Sequence, residues 1–384
     1  MERASSSATL RLLPRQGQRC VFVRASTLIN RSGETESHIG FSLITLAGQL
    51  IEHAPLITPE PHTRYMKRGS SSMVEAVVLW NEPNNLSHWN FHLDEGWARF
   101  AEMVSLASKR IRAVNRDLPI VLGGISSCDP DFLRLMRSYS VMDHVDAVGV
   151  HGFPLDWNHW SIDEWPIRVA EAEDAAGKPV WVTEVGASSF GAEEVALFGM
   201  ERTIALLRGR SPRIHWYSLY DLPPSWPAET RHKEAEGSSY YRHYYLGLLR
   251  HDGTPKLTAR RFPTDGSIGL CQWFHFEDHR LDSAVDWMLR HNIRYLRTGL
   301  SWADSYRPNA VAWFDRMIAA LEPFQVSITL CFTPAHLGVE AHHTSPPADL
   351  NTFADFAAWA VERYAPEPSS LQSSAARMEA GLLS

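Results

Sequence analysis

The sequence predicts an α/β protein of one particular kind, a (β/α)8 TIM barrel, from two observations. From residue 77 onward, short β-branched or apolar runs that end in Gly, Pro or polar residues alternate with segments of helical spacing. Eight such strand and helix pairs fill residues 77–364, which is the count and size of that barrel. An open doubly wound sheet fits less well, because the glycine-rich phosphate loop usual after its first strand is missing.

The first expected strand is VVLWNEP at 77–83, followed by the amphipathic stretch at 95–115. LPIVLGGIS at 118–126, VDAVGVHGF at 145–153, PVWVTEVG at 179–186 and RIHWYSLYD at 213–221 continue the pattern. IGLCQWFHF at 268–276, IRYLRTGLSW at 293–302 and FQVSITLCFTP at 324–334 complete the eight. The closing helix is expected at 353–364, opened by the capping residues Asn351 and Thr352. The barrel is thus expected over 75–365. Residues 1–74 depart from this grammar and read as an irregular or poorly ordered N-terminal extension. Their first 31 residues hold Arg3, Arg11, Arg15, Arg19, Arg24 and Arg31 against Glu2 alone, a loose likeness to an organelle transit peptide. Residues 366–384, rich in Ser and Ala, read as a disordered tail.

Composition narrows the function classes. Lys and Arg total 37 against 44 Asp and Glu, and a net charge of −7 gives no general attraction to nucleic acid or to an anionic membrane. No apolar run reaches the roughly 18 to 20 residues of a membrane span, so the expectation is a soluble chain. Cys20, Cys128, Cys271 and Cys331 are far apart, without CxxC spacing, which argues against a disulfide scaffold or a cysteine zinc site and for a reducing, cytoplasmic setting. The pattern leaves the oligomeric state open. Several of the 14 tryptophans stand beside polar residues: Trp89, Trp157, Trp160 and Trp216. Aromatic faces next to hydrogen-bonding groups suit sugars, although core filling explains any one of them equally well.

Polar residues at strand ends are where such a barrel builds its site. Glu82 ends VVLWN and Glu184 ends VWVT, each interrupting a run suited to burial. A carboxylate withdrawn from water is costly unless paired or useful. Two that face each other across the mouth match the chemistry of glycosidic-bond cleavage, one donating a proton and the other acting as nucleophile or base. The bland alternative for either alone is a capping or salt-bridged carboxylate. His88 and His92, with His342 and His343 downstream, lack the HExxH context of a metal site, and a loop or sugar-binding role is expected instead. Neither a GxSxG elbow nor a GxxxxGK[ST] loop is present, which disfavours Ser/His/Asp chemistry and nucleotide hydrolysis, and neither a metal nor a cofactor is expected.

WNEPN at 80–84 and WVTEVG at 181–186 resemble the acid/base and nucleophile motifs of the clan A (β/α)8 glycoside hydrolases, which include β-xylosidase-like and cellulase-like families. The resemblance spans residues 77–364. It implies a retaining mechanism on β-linked sugars, with Glu82 as acid/base after the clan's fourth strand and Glu184 as nucleophile after its seventh. It implies that Asn81 holds the sugar's 2-hydroxyl, that His151 is the sixth-strand histidine, and that Trp216 stacks under the sugar. Arg297 resembles the second-strand arginine that keeps the nucleophile ionised, and His336 the third-strand histidine. Phe153 stands where many relatives have a tyrosine that hydrogen-bonds the nucleophile. In the clan's numbering the strands then run 4-5-6-7-8-1-2-3, a circular permutation, which near-neighbour termini allow. Three alternatives stand beside this reading: a non-catalytic carbohydrate-binding barrel, an inactive product of a rearranged gene, and a metal-dependent hydrolase.

Overall fold

The computed structural model describes residues 74–224 and 239–366, together with the backbone of two short strand pairs nearer the N-terminus, Ser7–Thr9 with Arg24–Ser26 and Leu28–Ile29 with Thr35–Glu36. The chain divides into two units, residues 1–68 and 69–384. The transit-like stretch and the tail beyond Pro366 fall outside the residues whose side chains are described.

Eight parallel strands close into a barrel: β1 Val74–Asn81, β2 Ile120–Ile125, β3 Ala147–Gly152, β4 Val180–Val185, β5 Ile214–Tyr217, β6 Gly269–Cys271, β7 Tyr295–Ser301 and β8 Gln325–Cys331. Neighbours follow chain order, and the ring closes where β8 pairs with β1, Leu330 opposite Leu79. The long connection after β5 returns to pair β6 with β5, Leu270 opposite Trp216. Seven of the eight strand expectations contain an observed strand, and the first overlaps one. β1 begins earlier than expected, because Val74 and Ala76 also pair with β8.

Helices separate the strands: α1 Ala98–Val114, α2 Pro130–Ser138, α3 Trp165–Ala176, α4 Glu193–Leu207, α5 Leu257–Arg261, α6 Leu281–Arg290, α7 Ala310–Ala320 and α8 Leu350–Tyr364. α1 buries Phe100, Met103, Val104, Ala107 and Ile111 at helical spacing, which fixes its apolar stripe against the sheet. It starts at Ala98 and not at 95, because Gly96 and Trp97 take left-handed φ of 78° and 56° and break the helical path. α8 is capped by Asp349, not by Asn351 or Thr352: the Asp349 carboxylate accepts from the Asn351 amide at 2.9 Å and satisfies an orphan donor of the first turn. Among the described residues no helix is long and apolar enough to cross a membrane.

The barrel interior is polar at more than one level. The Arg213 guanidinium lies 4.1 Å over the Tyr295 ring and pairs with Glu75, which joins β5, β7 and β1 across the lumen. The two-residue period of strands then turns His215, Tyr217, Arg297 and Gly299 inward, and Trp216 outward to the helical layer.

Candidate active site

At the carboxyl end of β1 the backbone is strained. Trp80 and Glu82 both take positive φ, 72° and 42°, on either side of Asn81. Non-glycine residues held there cost about 1 to 3 kcal/mol each and persist only where their surroundings over-determine them. Here the Trp80 indole donates to the His88 carbonyl at 3.0 Å and packs edge-on against Trp89, while the Glu82 amide donates to the Gly124 carbonyl at 2.9 Å. The twist delivers Asn81 and Glu82 to the barrel mouth, and Pro83, lacking an N–H, follows where the ladder stops.

Glu82 is buried and fully engaged. Its Oε1 accepts from His151 Nδ1 at 2.8 Å, and its Oε2 accepts from Asn85 Nδ2 at 2.7 Å with His88 Nδ1 at 3.4 Å. Burial pushes its pKa up, but the His151 hydrogen bond, the His88 and His151 charges and the Asn85 amide outweigh it, leaving the carboxyl at about 2. Glu82 is therefore ionised at neutral pH, and His151 Nδ1 is the donor.

Glu184 rises from β4, in register with His151 on β3. One oxygen accepts from Arg297 Nη1, and the other lies 3.6 Å from the same His151 Nδ1 that Glu82 holds. Arg297 is 1% exposed, and its second terminal nitrogen donates to Asn81 Oδ1 at 2.6 Å. Burial disfavours its charge, but Cys271 and Glu184 beside it more than restore it, so the guanidinium stays protonated. Asn81 accepts through Oδ1, so its Nδ2 is the amide edge left to donate.

His151 reaches this position because residue 124 is glycine. A Cβ built there would stand 1.7 Å from His151 Nε2, so no side chain fits beneath the ring. Gly299 does the same for Trp273, whose indole lies where a Cβ would be 1.9 Å away.

The structure thus brings together five of the seven residues singled out from the sequence: Glu82, Glu184, Asn81, His151 and Arg297. It does not bring the other two to them. Trp216 is 1% exposed in the hydrophobic core, pointed outward by strand alternation. His336 is exposed on the loop after β8, its ring 4.6 Å from Tyr306. Of the other tryptophans with polar neighbours, Trp89 and Trp160 are buried and Trp157 is half-buried, 4.5 Å from the Phe153 ring.

Other residues take the vacant places. The inward aromatic of β5 is Tyr217, hydroxyl-bonded to His243 at 2.9 Å. His88 stacks 6.2 Å from Phe332, which in turn packs 5.6 Å from Trp273. Asn85 and His88 lie three and six residues past Glu82, a local signal available in the sequence. Cys271 lies against Arg297 Nη1 at 3.2 Å, and only its place at the inward end of β6 could have marked it.

Glu82, His151 and Glu184 form the one group among the described residues whose donor atoms, within 4.8 Å of one another, could hold a metal ion. Arg297 already occupies one Glu184 oxygen and sets a fixed positive charge beside any cation there. At the opposite end of the barrel a cleft of about 790 Å³, lined among others by Arg112, Asp146 and Lys178, holds an Arg112–Asp146 ion pair and no such convergence.

Neither a protein-family model nor a curated protein sequence matches the chain. Among solved structures it is similar to a GH2 β-galacturonidase from Eisenbergiella tayi bound to glycerol, with TM-score 0.31 and 14% identity over 41% of this chain and 28% of that one. It is also similar to a Bacteroides uniformis β-glucuronidase, with TM-score 0.30 and 11% identity over 40% of this chain and 18% of that one. The matched part spans less than a third of either neighbour's length.

Proposed function

We propose that this chain is a retaining glycoside hydrolase acting on β-linked sugars, a reading supported by one observation: two carboxylates converge at the barrel mouth, Glu82 bonded to His151 Nδ1 at 2.8 Å and Glu184 3.6 Å from the same nitrogen. One oxygen of Glu82 and one of Glu184 lie within 4.8 Å of each other. Retaining pairs stand about 5 to 5.5 Å apart and inverting pairs about 6.5 to 9.5 Å, and so close an approach suits retention. Arg297 keeps Glu184 ionised and aimed, the state a nucleophile needs.

In this mechanism Glu184 attacks the anomeric carbon while Glu82 protonates the departing oxygen. Glu82, again a carboxylate, then takes a proton from water, which releases the sugar from Glu184. In the second step Glu82 already has the ionised form a base needs, and since a carboxyl held at about 2 is a weak base, it acts through its placement against the water. The first step requires Glu82 to take up a proton on substrate binding. A neutral sugar ring that displaces solvent from the buried carboxylate favours that uptake, as does the negative charge of Glu184 until it is esterified. Asn81 Nδ2 is placed to hold the hydroxyl next to the anomeric carbon, with Tyr217 as the aromatic wall.

The clan order of strands belongs to the same proposal. A closed ring of strands has no geometric first member, so a chain that enters at the clan's fourth strand builds the same barrel, with Glu82 and Glu184 still three strands apart. The linker after β5 would then span the ancestral ends.

The deciding experiment is nitrophenol release from aryl β-xyloside, glucoside, galactoside and mannoside, with Glu184→Gln alongside and the first-formed anomer read by NMR. Turnover with retention that vanishes in the variant supports the proposal. A non-catalytic sugar-binding barrel is the second reading, favoured by the ionised state of Glu82. It predicts sugar binding without turnover, unchanged in Glu184→Gln.

A further inference from the structure

We infer that His88 is the proton relay of Glu82, its imidazole passing a proton between solvent and the carboxylate as each sugar binds and leaves, an inference that rests on reading Glu82 as the acid/base.

The turn after β1 delivers His88 and fixes it. Its amide donates to the Asn85 carbonyl at 2.9 Å, its carbonyl accepts from the Trp80 indole at 3.0 Å, and its ring stacks against Phe332. Held in this way, its Nδ1 lies 3.4 Å from Glu82 Oε2. That nitrogen is buried, and among the described residues no hydrogen-bond partner meets it. An unpaired buried polar atom is costly and calls for a reason. Catalytic hydrogen bonds are often long before substrate binds and tighten afterwards, and closing this gap to about 2.9 Å makes an ordinary bond.

Two imidazoles therefore face Glu82, and they differ in their access to water. His151 is 0% exposed, so the nearer ring holds the carboxylate without a route to solvent. The His88 side chain is 24% exposed although its Nδ1 is buried, which leaves the Nε2 edge toward solvent. Asn85, the third partner of Glu82, donates through an amide that does not exchange protons in this way.

A carboxylate oxygen repels a nitrogen lone pair, so the imidazole proton sits on Nδ1 and the lone pair on Nε2. Loading then balances: the Nδ1–H bond breaks as an O–H bond forms on Glu82 Oε2, while Nε2 bonds a proton from a solvent acid. Glu82 spends that proton on the departing oxygen and regains one from the attacking water. After the sugar leaves, Glu82 returns the proton to Nδ1 and Nε2 releases its own, which restores the starting tautomer without a ring flip. Desolvation lowers the His88 pKa below 6.5; Glu82 and Glu184 pull it up, while His151, His243 and the nearby His343 oppose them. The ring is thus neutral at pH 7 and carries protons rather than storing charge.

Two measurements test the relay. The first needs no turnover: nitrogen-15 NMR reads the tautomer of His88, with its signals assigned by their loss in His88→Gln. A protonated Nδ1 and a bare Nε2 are expected, and the His88 pKa should fall by about half a pH unit or more in Glu82→Gln, because a neighbouring carboxylate favours the imidazolium. A proton on Nε2, or a pKa that does not move, would overturn the relay. The second reads kcat/KM, which contains the loading step. His88→Gln keeps an N–H donor near Glu82 but cannot pass a proton on, and His88→Ala leaves room for a free imidazole. Both should lose about ten- to a hundredfold on alkyl glycosides and far less on dinitrophenyl glycosides, and added imidazole should restore His88→Ala severalfold but not His88→Gln. Wild-type rates in His88→Gln, or turnover in His88→Ala that imidazole does not rescue, would remove the relay alone. No turnover of any glycoside by the wild type, with the NMR pattern intact, would leave the contact standing and overturn the glycosidase reading, and the relay with it.

Discussion

His151 Nδ1 stands 2.8 Å from Oε1 of Glu82 and 3.6 Å from Oε2 of Glu184, so one imidazole donates to Glu82 and lies beside the second carboxylate at the barrel mouth. The bond goes to Glu82 and helps hold that group ionised.

A first consequence concerns pH. The His151 bond lowers the Glu82 pKa, and its loss must raise it. In His151→Asn the alkaline limb of kcat/KM, set by loss of the proton that Glu82 delivers, is expected to move to higher pH. A profile that shifts down or stays fixed would separate His151 from control of Glu82. Because the two carboxylates interact, the measured values belong to the pair.

The leaving group gives a second test. Glu82→Ala removes the proton donor, and a leaving group that is stable as an anion needs no proton. Dinitrophenyl glycosides should therefore lose far less rate than alkyl or sugar glycosides, with the gap about 100-fold or more. Equal losses across leaving groups would take the acid role from Glu82.

Gly124 offers a third test, remote from the reacting atoms. Gly124→Ala places a methyl 1.7 Å from where His151 Nε2 now lies, and the ring must turn away from Glu82. We expect a folded barrel by circular dichroism, with kcat/KM down at least tenfold and the same alkaline shift as His151→Asn. Wild-type activity would show that the imidazole position does not matter.

Acid stability supplies a fourth. His215 is buried in the lumen without a partner on either ring nitrogen, and burial, with Arg297 and Arg213 nearby, lowers its pKa from 6.5 to about 3. A group whose pKa is lowered on folding contributes stability above its unfolded value and withdraws it as pH falls toward the folded one. Stability should thus decline below about pH 6.5. Replacing His215 with leucine should shrink the loss in Tm between pH 7 and pH 5, and an undiminished loss would assign that decline to other groups.

The sequence by itself determined the barrel and the identity of the charged core. Eight apolar runs of strand length, alternating with helical segments, leave a closed parallel sheet as the economical way to bury both faces, and seven of the eight observed strands lie within those runs, with β1 starting three residues before its own. Glu82 and Glu184 were legible because a carboxylate at a buried strand end is expensive, and expense of that kind is local, whereas Asn81, His151 and Arg297 were legible only through the resemblance of their motifs to the clan A hydrolases. The partners were not local. Which of Trp216 and Tyr217 faces the mouth depends on strand alternation counted from the Arg213–Tyr295 contact, and one residue of register reverses it. His336 lies five residues beyond the end of β8, where its loop carries the ring outward, whereas His88 reaches Glu82 from the turn after β1. Cys271 meets Arg297 only because β6 and β7 lie side by side in register, and Gly124 admits His151 only because β2 and β3 do. Residue type and strand position are written along the chain; which side chains share a hydrogen bond is set by register and closure, and those exist only once the ring of strands has formed.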